Sequence, residues 1–249
     1  MPVGKRYDRL TGILALTLLS LISAACGTSS TPSDALTGKS AAQVLRLALH
    51  NATAAGTMRY RITTQGSGTQ QSVSGDASAK GGVVVVTNAN GVVRIVVTGG
   101  MAYIQSNASV ALQGILGLSP AVAGANTNKW ISLTPADSQF SQLATAASFS
   151  STLTEFTPGG SQLHLTEKTV SRRRVGLIDG TGTPVVAVQS YDIQLAVTTR
   201  SPVLPVGGAV SVQGNGKTAT QIALFALWGK PFPLQAPANA TPLSVITHG

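Results

Sequence analysis

The sequence predicts an α+β domain built on a long antiparallel sheet. Three observations lead to this fold class: apolar and polar residues alternate along several segments, glycine-rich turns separate these segments, and helical patterns come in blocks. A helix between every two strands would instead indicate a parallel sheet. The length of 249 residues suits one domain, or at most two small ones.

The first element is a helix over residues 40–55. Ser40 is a typical N-cap residue, and Gly56 is a typical helix terminator. Apolar residues recur between them at helical spacing and predict one buried face: Ala41, Val44, Leu45, Ala48 and Ala52.

The pattern then changes to a period of two. Met58, Tyr60 and Ile62 alternate with polar residues, which predicts a half-buried strand, and a weaker strand follows over Val73–Ala79. Three further strands are predicted with the turns Asn88–Gly91 and Gly99-Gly100 between them: Val83–Thr87, Val92–Thr98 and Met101–Ser106.

Arg94 should face solvent, which places Val93, Ile95 and Val97 on the covered face of their strand. Residues 108–125 are too apolar for an ordinary surface loop. We expect one or two short helices there that cover the strand faces. Their apolar side consists of Leu112, Ile115, Leu116 and Leu118.

Strands return after a short mixed region. Lys129–Leu133 reads as a short strand, and Pro135 begins a helix that runs to about Phe149. The later strands are Leu163–Lys168, Arg174–Ile178, Val185–Val197, Ala209–Gln213 and a final stretch to Leu227. Two glycine-containing segments predict tight turns between them: Asp179-Gly180 and Gly214-Asn215-Gly216.

Residues 1–25 have the organisation of a secretory signal peptide. Positive residues precede the apolar run Gly12–Ile22, and small residues then lead to Cys26. The apolar run is too short to span a bilayer, which takes roughly 20 residues. Cleavage after Ala25 would therefore leave Cys26 as the first residue of the mature protein.

Cys26 is the single cysteine of the chain, and its position resembles the bacterial lipobox, in which the thiol receives a diacylglyceryl group. Ser23 departs from the aliphatic residue usual there, and Ser23 with Ala25 also fits an ordinary signal peptidase. We predict lipidation, which anchors the protein to the outer face of the cytoplasmic membrane. Residues 26–38 then form a flexible linker to a single domain over residues 39–249.

Charge and motif content exclude several function classes. The net charge is +9, yet no stripe of basic and aromatic residues of the nucleic-acid-binding kind occurs. Removal of residues 1–25 takes away Lys5, Arg6, Arg9 and Asp8 and leaves a net charge of +7. For an exported protein this balance favours anionic headgroups or wall polymers as partners. The three histidines are scattered, and no nucleophile–base motif or paired carboxylates occur. We therefore predict no catalytic residue, no metal and no cofactor.

Several pieces of sequence stand in a recognisable order. They are the Cys26 leader, the alanine-rich first helix, Gly99–Ile104, Lys129–Leu133 and Trp228–Pro237. In this order they resemble the mycobacterial LppX/LprG-type cell-envelope lipoproteins, relatives in fold of LolA-like lipid carriers. The resemblance implies a large curved antiparallel sheet, a half-barrel with several helices on its concave face. It also implies that an apolar cavity between the two layers holds acyl chains and that Trp228–Pro237 belongs to the last strand.

The resemblance makes ten apolar residues candidates for lining a lipid cavity: Met58, Tyr60, Ile62, Val93, Ile95, Val97, Leu112, Ile115, Leu116 and Leu118. The one charge cluster consists of Arg172, Arg173 and Arg174. It has two interpretations: a solvated turn between strands, or a contact with anionic headgroups or a membrane surface.

Three function hypotheses follow. The favoured one is a lipoprotein that carries a membrane lipid or glycolipid, with its envelope transport partner left open. The second is a non-catalytic envelope scaffold or interaction lipoprotein whose core is filled. The third and weakest is an unrecognised hydrolase.

Overall fold

The computed structural model describes residues 34–66, 70–170, 172–182, 190–214 and 217–248. These residues form six helices and twelve strands. In chain order the elements are α1 (Ala41–Ala55), β1 (Thr57–Gly66), β2 (Gln71–Ser78), β3 (Gly81–Asn88), β4 (Gly91–Thr98), β5 (Met101–Ser106), α2 (Ser109–Leu116), α3 (Pro120–Ala125), β6 (Ile131–Leu133), α4 (Phe140–Ala146), α5 (Phe149–Glu155), β7 (Gly159–Val170), β8 (Arg173–Thr181), β9 (Ser190–Thr198), β10 (Pro205–Gly214), β11 (Lys217–Ala226), β12 (Thr241–Pro242) and α6 (Leu243–His248).

Some predicted features lie outside the described residues. They are the signal peptide, Cys26, the first part of the linker, residues 185–189 of a predicted strand and residues 215–216 of a predicted turn. None of the helices in the described ranges is long and apolar enough to cross a membrane.

All twelve strands belong to one open sheet, in the order β12-β6-β5-β4-β3-β2-β1-β11-β10-β9-β8-β7. Neighbouring strands pair antiparallel, except for the short parallel pair of β12 and β6. The sheet is curved into a half-barrel, and helices lie against one face, which confirms the predicted fold class. We call the helix-covered side the inner face and the opposite side the outer face.

The local sequence explains both ends of helix α1 and the hairpin turn between β4 and β5. Ser40 forms a capping box with Gln43, and Gly56 ends α1 in the left-handed conformation with φ of 70°. Gly99 and Gly100 both have positive φ, as a two-residue hairpin turn between β4 and β5 requires. The predicted first helix and the hairpin at residues 99–100 are therefore confirmed.

The core consists of two clusters on the inner face. The first joins α1 and α5 to β1 and to strands β8 to β11. The second joins α2, α3, α4 and α6 to strands β3 to β6. Their largest fully buried side chains are Phe156, Met58, Ile178 and Leu195 in the first and Ile104, Leu112, Ile131, Leu133 and Leu143 in the second.

Phe156 sits at the centre of the first cluster, directly after α5. Its ring lies 5.8 Å from that of Phe225 on β11 in an edge-on arrangement. Gly208 on β10 lies beneath it, and a Cβ there would come within 3.0 Å of the ring. The glycine therefore lets the aromatic ring approach the sheet, and α5 is held close to β10 and β11.

Three local predictions are wrong: the start of a helix at Pro135, its continuity to about Phe149, and a turn at Asp179-Gly180. Pro135 does not begin a helix, because the Asp137 carboxylate accepts hydrogen bonds from the Thr134 backbone and hydroxyl and closes a turn there. The helical region is divided into α4 and α5, and the Ser148 hydroxyl caps the second by accepting from the Ser151 amide. Asp179-Gly180 is not a turn but part of β8, where Asp179 opposes His164 of β7.

The two ends of the domain also differ from expectation. Residues 34–38 belong to the folded domain rather than to a flexible linker, since Leu36 is 2% exposed and the Ala35 amide donates to the Thr199 carbonyl. Trp228–Pro237 is not a strand. Trp228 instead packs beside Phe149 and Phe225 and donates its indole N–H to the Pro205 carbonyl at 2.7 Å.

Candidate functional site

The ten candidate lining residues lie on the inner face or on the helices that cover it, but they do not share one space. Met58, Tyr60 and Ile62 belong to the first core cluster, with side chains of α1 and α5. The other seven belong to or pack against the second cluster: Val93, Ile95, Val97, Leu112, Ile115, Leu116 and Leu118. The expectation that residues 112–118 cover both strand faces is wrong, because α2 packs over β4 while α1 and α5 pack over β1.

The first space on the inner face is the α2–β4 cleft, with a volume of about 240 Å³. It contains three of the predicted lining residues: Val93 and Ile95 from β4, and Ile115 from α2. Leu112, one turn earlier on the same helix, is fully buried in the core. The lining residues that the structure describes here carry no charge; the rest are Val86, Asn88, Asn90, Val110, Ala111 and Gly114.

The second space is the central pocket, with a volume of about 300 Å³. It contains two predicted lining residues, Tyr60 and Ile62, but its other walls are largely polar: Thr64, Gln71, Val73, Ala146, Thr152, Glu155 and Gln221. Burial raises the pKa of the Tyr60 hydroxyl to about 12, so it stays protonated at neutral pH. Partial burial also raises the pKa of the Glu155 carboxyl, and the Gln221 amide beside it acts in the opposite direction.

The third space is the α1–α5 cleft, with a volume of about 510 Å³. Its apolar walls are Leu49 of α1 and Phe149 and Leu153 of α5. Hydroxyl-bearing and small residues complete the lining: Thr53, Ser78, Ala79, Ser148, Ser150, Thr154 and Thr157. The described lining carries no charged side chain. The sequence analysis missed this cleft, because short Ser, Thr and Ala side chains at these positions are equally common on a plain surface.

The arginine cluster lies at the turn between β7 and β8. Arg172 has a positive φ of 66° there, and all three side chains are exposed. Arg174 forms ion pairs with Glu167 and with Asp34, the latter at 3.1 Å. Arg174 is thus neutralised locally, and Arg172 and Arg173 supply the positive charge of the turn.

Chemistry-bearing groups do not converge in the described part of the chain. His50 and His164 are exposed on α1 and β7. No group of three or more His, Cys, Asp or Glu residues in the described ranges could hold a metal ion.

The fold is similar to several solved bacterial structures. Mycobacterium tuberculosis lipoprotein LppX has 12% sequence identity with this chain and a TM-score of 0.49, covering 78% of this chain and 98% of its own. A chain of the Pseudomonas aeruginosa MucA/MucB complex has 13% identity and a TM-score of 0.37, covering 80% of this chain and 61% of its own. At such identities the likeness concerns the fold alone.

The sequence resembles the LppX/LprG-type lipoproteins, and a lipoprotein of this type is thus among the solved structures with a similar fold. No protein-family model matches the chain. No curated protein matches it at a significant level.

A pair of tryptophan substitutions on α2 tests whether the α2–β4 cleft is real space. Ile115→Trp should fold with little loss of stability, because Ile115 borders the cleft and is half-buried. Leu112→Trp should lower the free energy of unfolding by about 1–3 kcal/mol, because that site is completely packed. Urea denaturation of both variants gives the comparison. Equal destabilisation by the two substitutions would show that the cleft closes in solution.

Proposed function

We propose that this protein is a membrane-anchored bacterial lipoprotein that binds and carries the acyl chains of a lipid or glycolipid at the cell envelope. The observation that carries the proposal is the α1–α5 cleft of about 510 Å³ with its uncharged described lining. A space of this size, walled by Leu49, Phe149 and Leu153, suits an apolar ligand. Hydroxyl groups at its edge can meet the polar end of such a ligand.

The α2–β4 cleft supports the same function. It is smaller, but the lining that the structure describes is also uncharged, in a protein with a net charge of +9. Ile115 and Ile95 lie on opposite walls, one from a helix and one from the sheet. Two apolar clefts under one layer of helices fit a ligand with more than one acyl chain.

Asp34, the first residue that the structure describes, lies at one particular corner of the domain. Cys26 precedes Asp34 in the chain, and Asp34 is ion-paired with Arg174 beside the β7–β8 turn. Exposed basic residues gather near this turn, and we call them the basic corner: Lys168, Arg172, Arg173 and Arg200. We propose that the basic corner contacts anionic headgroups, each contact being worth about 1 kcal/mol near a charged membrane surface.

A second candidate function, an interaction lipoprotein, is favoured by the outer face. Leu224 and Ile222 of β11 are 60% and 47% exposed there. Arg61 of β1 lies directly opposite Leu224. Exposed aliphatic side chains beside a cation are typical of a protein-binding surface. The cleft variants below decide between the two functions.

Protein purified from the envelope should retain lipid that native mass spectrometry detects, and Thr53→Trp should reduce it. Thr53 is exposed at the cleft edge, so an indole there fills the cleft without disturbing the core. Ala54→Trp is the matched control, because Ala54 is also exposed on α1 and does not line the cleft. Wild-type protein without lipid, or equal lipid in both variants, would favour the interaction function.

The anchor is tested by Cys26→Ala. The variant should be released to the medium or remain as an uncleaved precursor, because it has no thiol to acylate. Cell fractionation and metabolic labelling with palmitate measure this outcome. A mature form that stays on the membrane despite the substitution contradicts the proposed anchor.

The basic corner is tested on the unlipidated Cys26→Ala protein with vesicles of phosphatidylglycerol and phosphatidylcholine. Replacing Arg172 and Arg173 by Glu should weaken vesicle binding in a co-sedimentation assay, since both side chains are exposed at the basic corner. The same charge change at Arg61 and Arg94, which are exposed on the outer face, is the control. An equal effect of both double variants would mean that net charge, not the corner, governs binding.

A further inference from the structure

The central pocket lies between the two apolar clefts. Val73 of β2 lines the pocket, and its cross-strand partner Val86 of β3 lines the α2–β4 cleft. On the other side, α5 separates the pocket from the α1–α5 cleft: Thr152 faces the pocket, while Leu153 lines the cleft. A polar space with apolar spaces on both sides matches the layout of an amphiphile.

Two polar atoms in this pocket are buried without a partner. The Tyr60 hydroxyl and the Gln221 side-chain carbonyl oxygen are inaccessible to solvent and form no hydrogen bond of ordinary geometry with the described residues, although the Thr152 side chain lies beside the Tyr60 hydroxyl. Tyr60 is 2% exposed as a whole. Buried polar groups are almost always paired, because an unpaired one destabilises the fold. Two such atoms at the wall of one pocket point to a ligand that supplies both partners once the Tyr60 and Gln221 side chains turn toward it, because neither atom is exposed to the pocket in this conformation.

The sheet is built to hold Tyr60 in this position. Its cross-strand neighbour on β2 is Gly75, and a Cβ at Gly75 would lie 2.8 Å from the Tyr60 hydroxyl oxygen. Such a distance is shorter than any ordinary contact. The missing side chain thus gives the aromatic ring room to lie over the neighbouring strand.

Charge narrows the chemistry of the ligand. Glu155 is the one charged side chain among the described residues that line the pocket, so a phosphate group would meet a carboxylate and no cation. An ammonium group has no acceptor for the Tyr60 hydroxyl. A ligand hydroxyl both accepts and donates, so hydroxyl groups can satisfy Tyr60 and Gln221 alike.

We infer that the central pocket binds an uncharged, hydroxyl-rich headgroup, such as a sugar or another polyol, of the lipid whose chains occupy the clefts. The Tyr60 hydroxyl donates to this headgroup, and the Gln221 carbonyl oxygen accepts from it. This inference rests on the proposed function, because it assumes that an acyl chain is bound beside the headgroup.

Three probes with one chain length test the inference: octyl β-glucoside, octyl phosphate and 1-octanol. Titration calorimetry should rank octyl glucoside as the tightest ligand of the purified protein. Tyr60→Phe should weaken octyl glucoside binding by about 2- to 10-fold, the range expected for one hydrogen bond. It should weaken octanol binding less, because octanol has a single hydroxyl group that its chain does not hold at Tyr60. Glu155→Gln should improve octyl phosphate binding, because it removes the opposing charge.

Folding measurements separate a binding role of Tyr60 from a structural one. Tyr60→Phe should be at least as stable as the wild type, because it removes a buried hydroxyl that has no partner. Tyr103→Phe on β5 is the control, because Tyr103 does not line the pocket and should change neither affinity nor stability. A Tyr60→Phe variant that loses stability would overturn the inference, since the hydroxyl would then serve the fold.

The outcomes also separate this inference from the function on which it rests. Equal affinity for octyl glucoside and octanol, with octanol binding reduced by Thr53→Trp or Ile115→Trp, overturns the headgroup assignment and leaves acyl-chain binding standing. Tighter binding of octyl phosphate than of octyl glucoside also overturns it. Binding of none of the three probes would overturn the proposed function and this inference together.

Discussion

The burial of Phe156 against the sheet fixes the position of helix α5, which walls two of the spaces on the inner face. Its ring packs on Phe225 and over Gly208, and full burial of such a side chain contributes about 1.5–3 kcal/mol. Because Phe156 directly follows α5, this contact sets the position of that helix on the sheet. One side of α5 then walls the α1–α5 cleft and the other walls the central pocket. With only 4% aromatic residues in the chain, few other contacts can hold a short helix so firmly.

The division of the core into two clusters explains how a filled interior and ligand spaces coexist. Met58 in the first cluster and Leu112 in the second are fully buried, so each half of the sheet has its own packed centre. The spaces lie at the borders of these centres, beside Ile115 and Thr53. The proposed carrier does not need an empty barrel, because the two clusters stabilise the fold and the spaces for a ligand lie at their margins.

The sequence allowed accurate prediction wherever local chemistry decides the structure. Met101–Ser106 is a strand with those bounds, because two glycines precede it and residues alternate along it. The same local rules failed at Asp179-Gly180, where pairing with β7 outweighs the turn preference of the dipeptide. They failed again at Pro135, where the carboxylate of Asp137 closes a turn in front of the helix.

The candidate site was predictable only in part, because a cavity is a property of distance between elements and not of any one segment. Val93, Ile95 and Ile115 could be assigned to a covered face from their spacing, and they do line a cleft. Tyr60 was assigned to the same apolar wall, but its side chain borders a polar pocket formed with Gln221, which lies 161 positions later in the chain. No local pattern connects two such residues, since the pairing of β1 with β11 brings them together.

The entry of the chain into the domain has a mechanical consequence. Any tension carried by the segment before Asp34 reaches the fold first at the exposed ion pair with Arg174, which contributes about 0–1 kcal/mol. The next point of attachment is stronger: Leu36 is buried in the first cluster, and the Ala35 amide is bonded to the end of β9. Helix α1 follows directly, and it is one wall of the larger apolar cleft. A pull on the N-terminal chain is therefore borne first by β8 and by the end of β9, and the helix that walls the cleft comes after them.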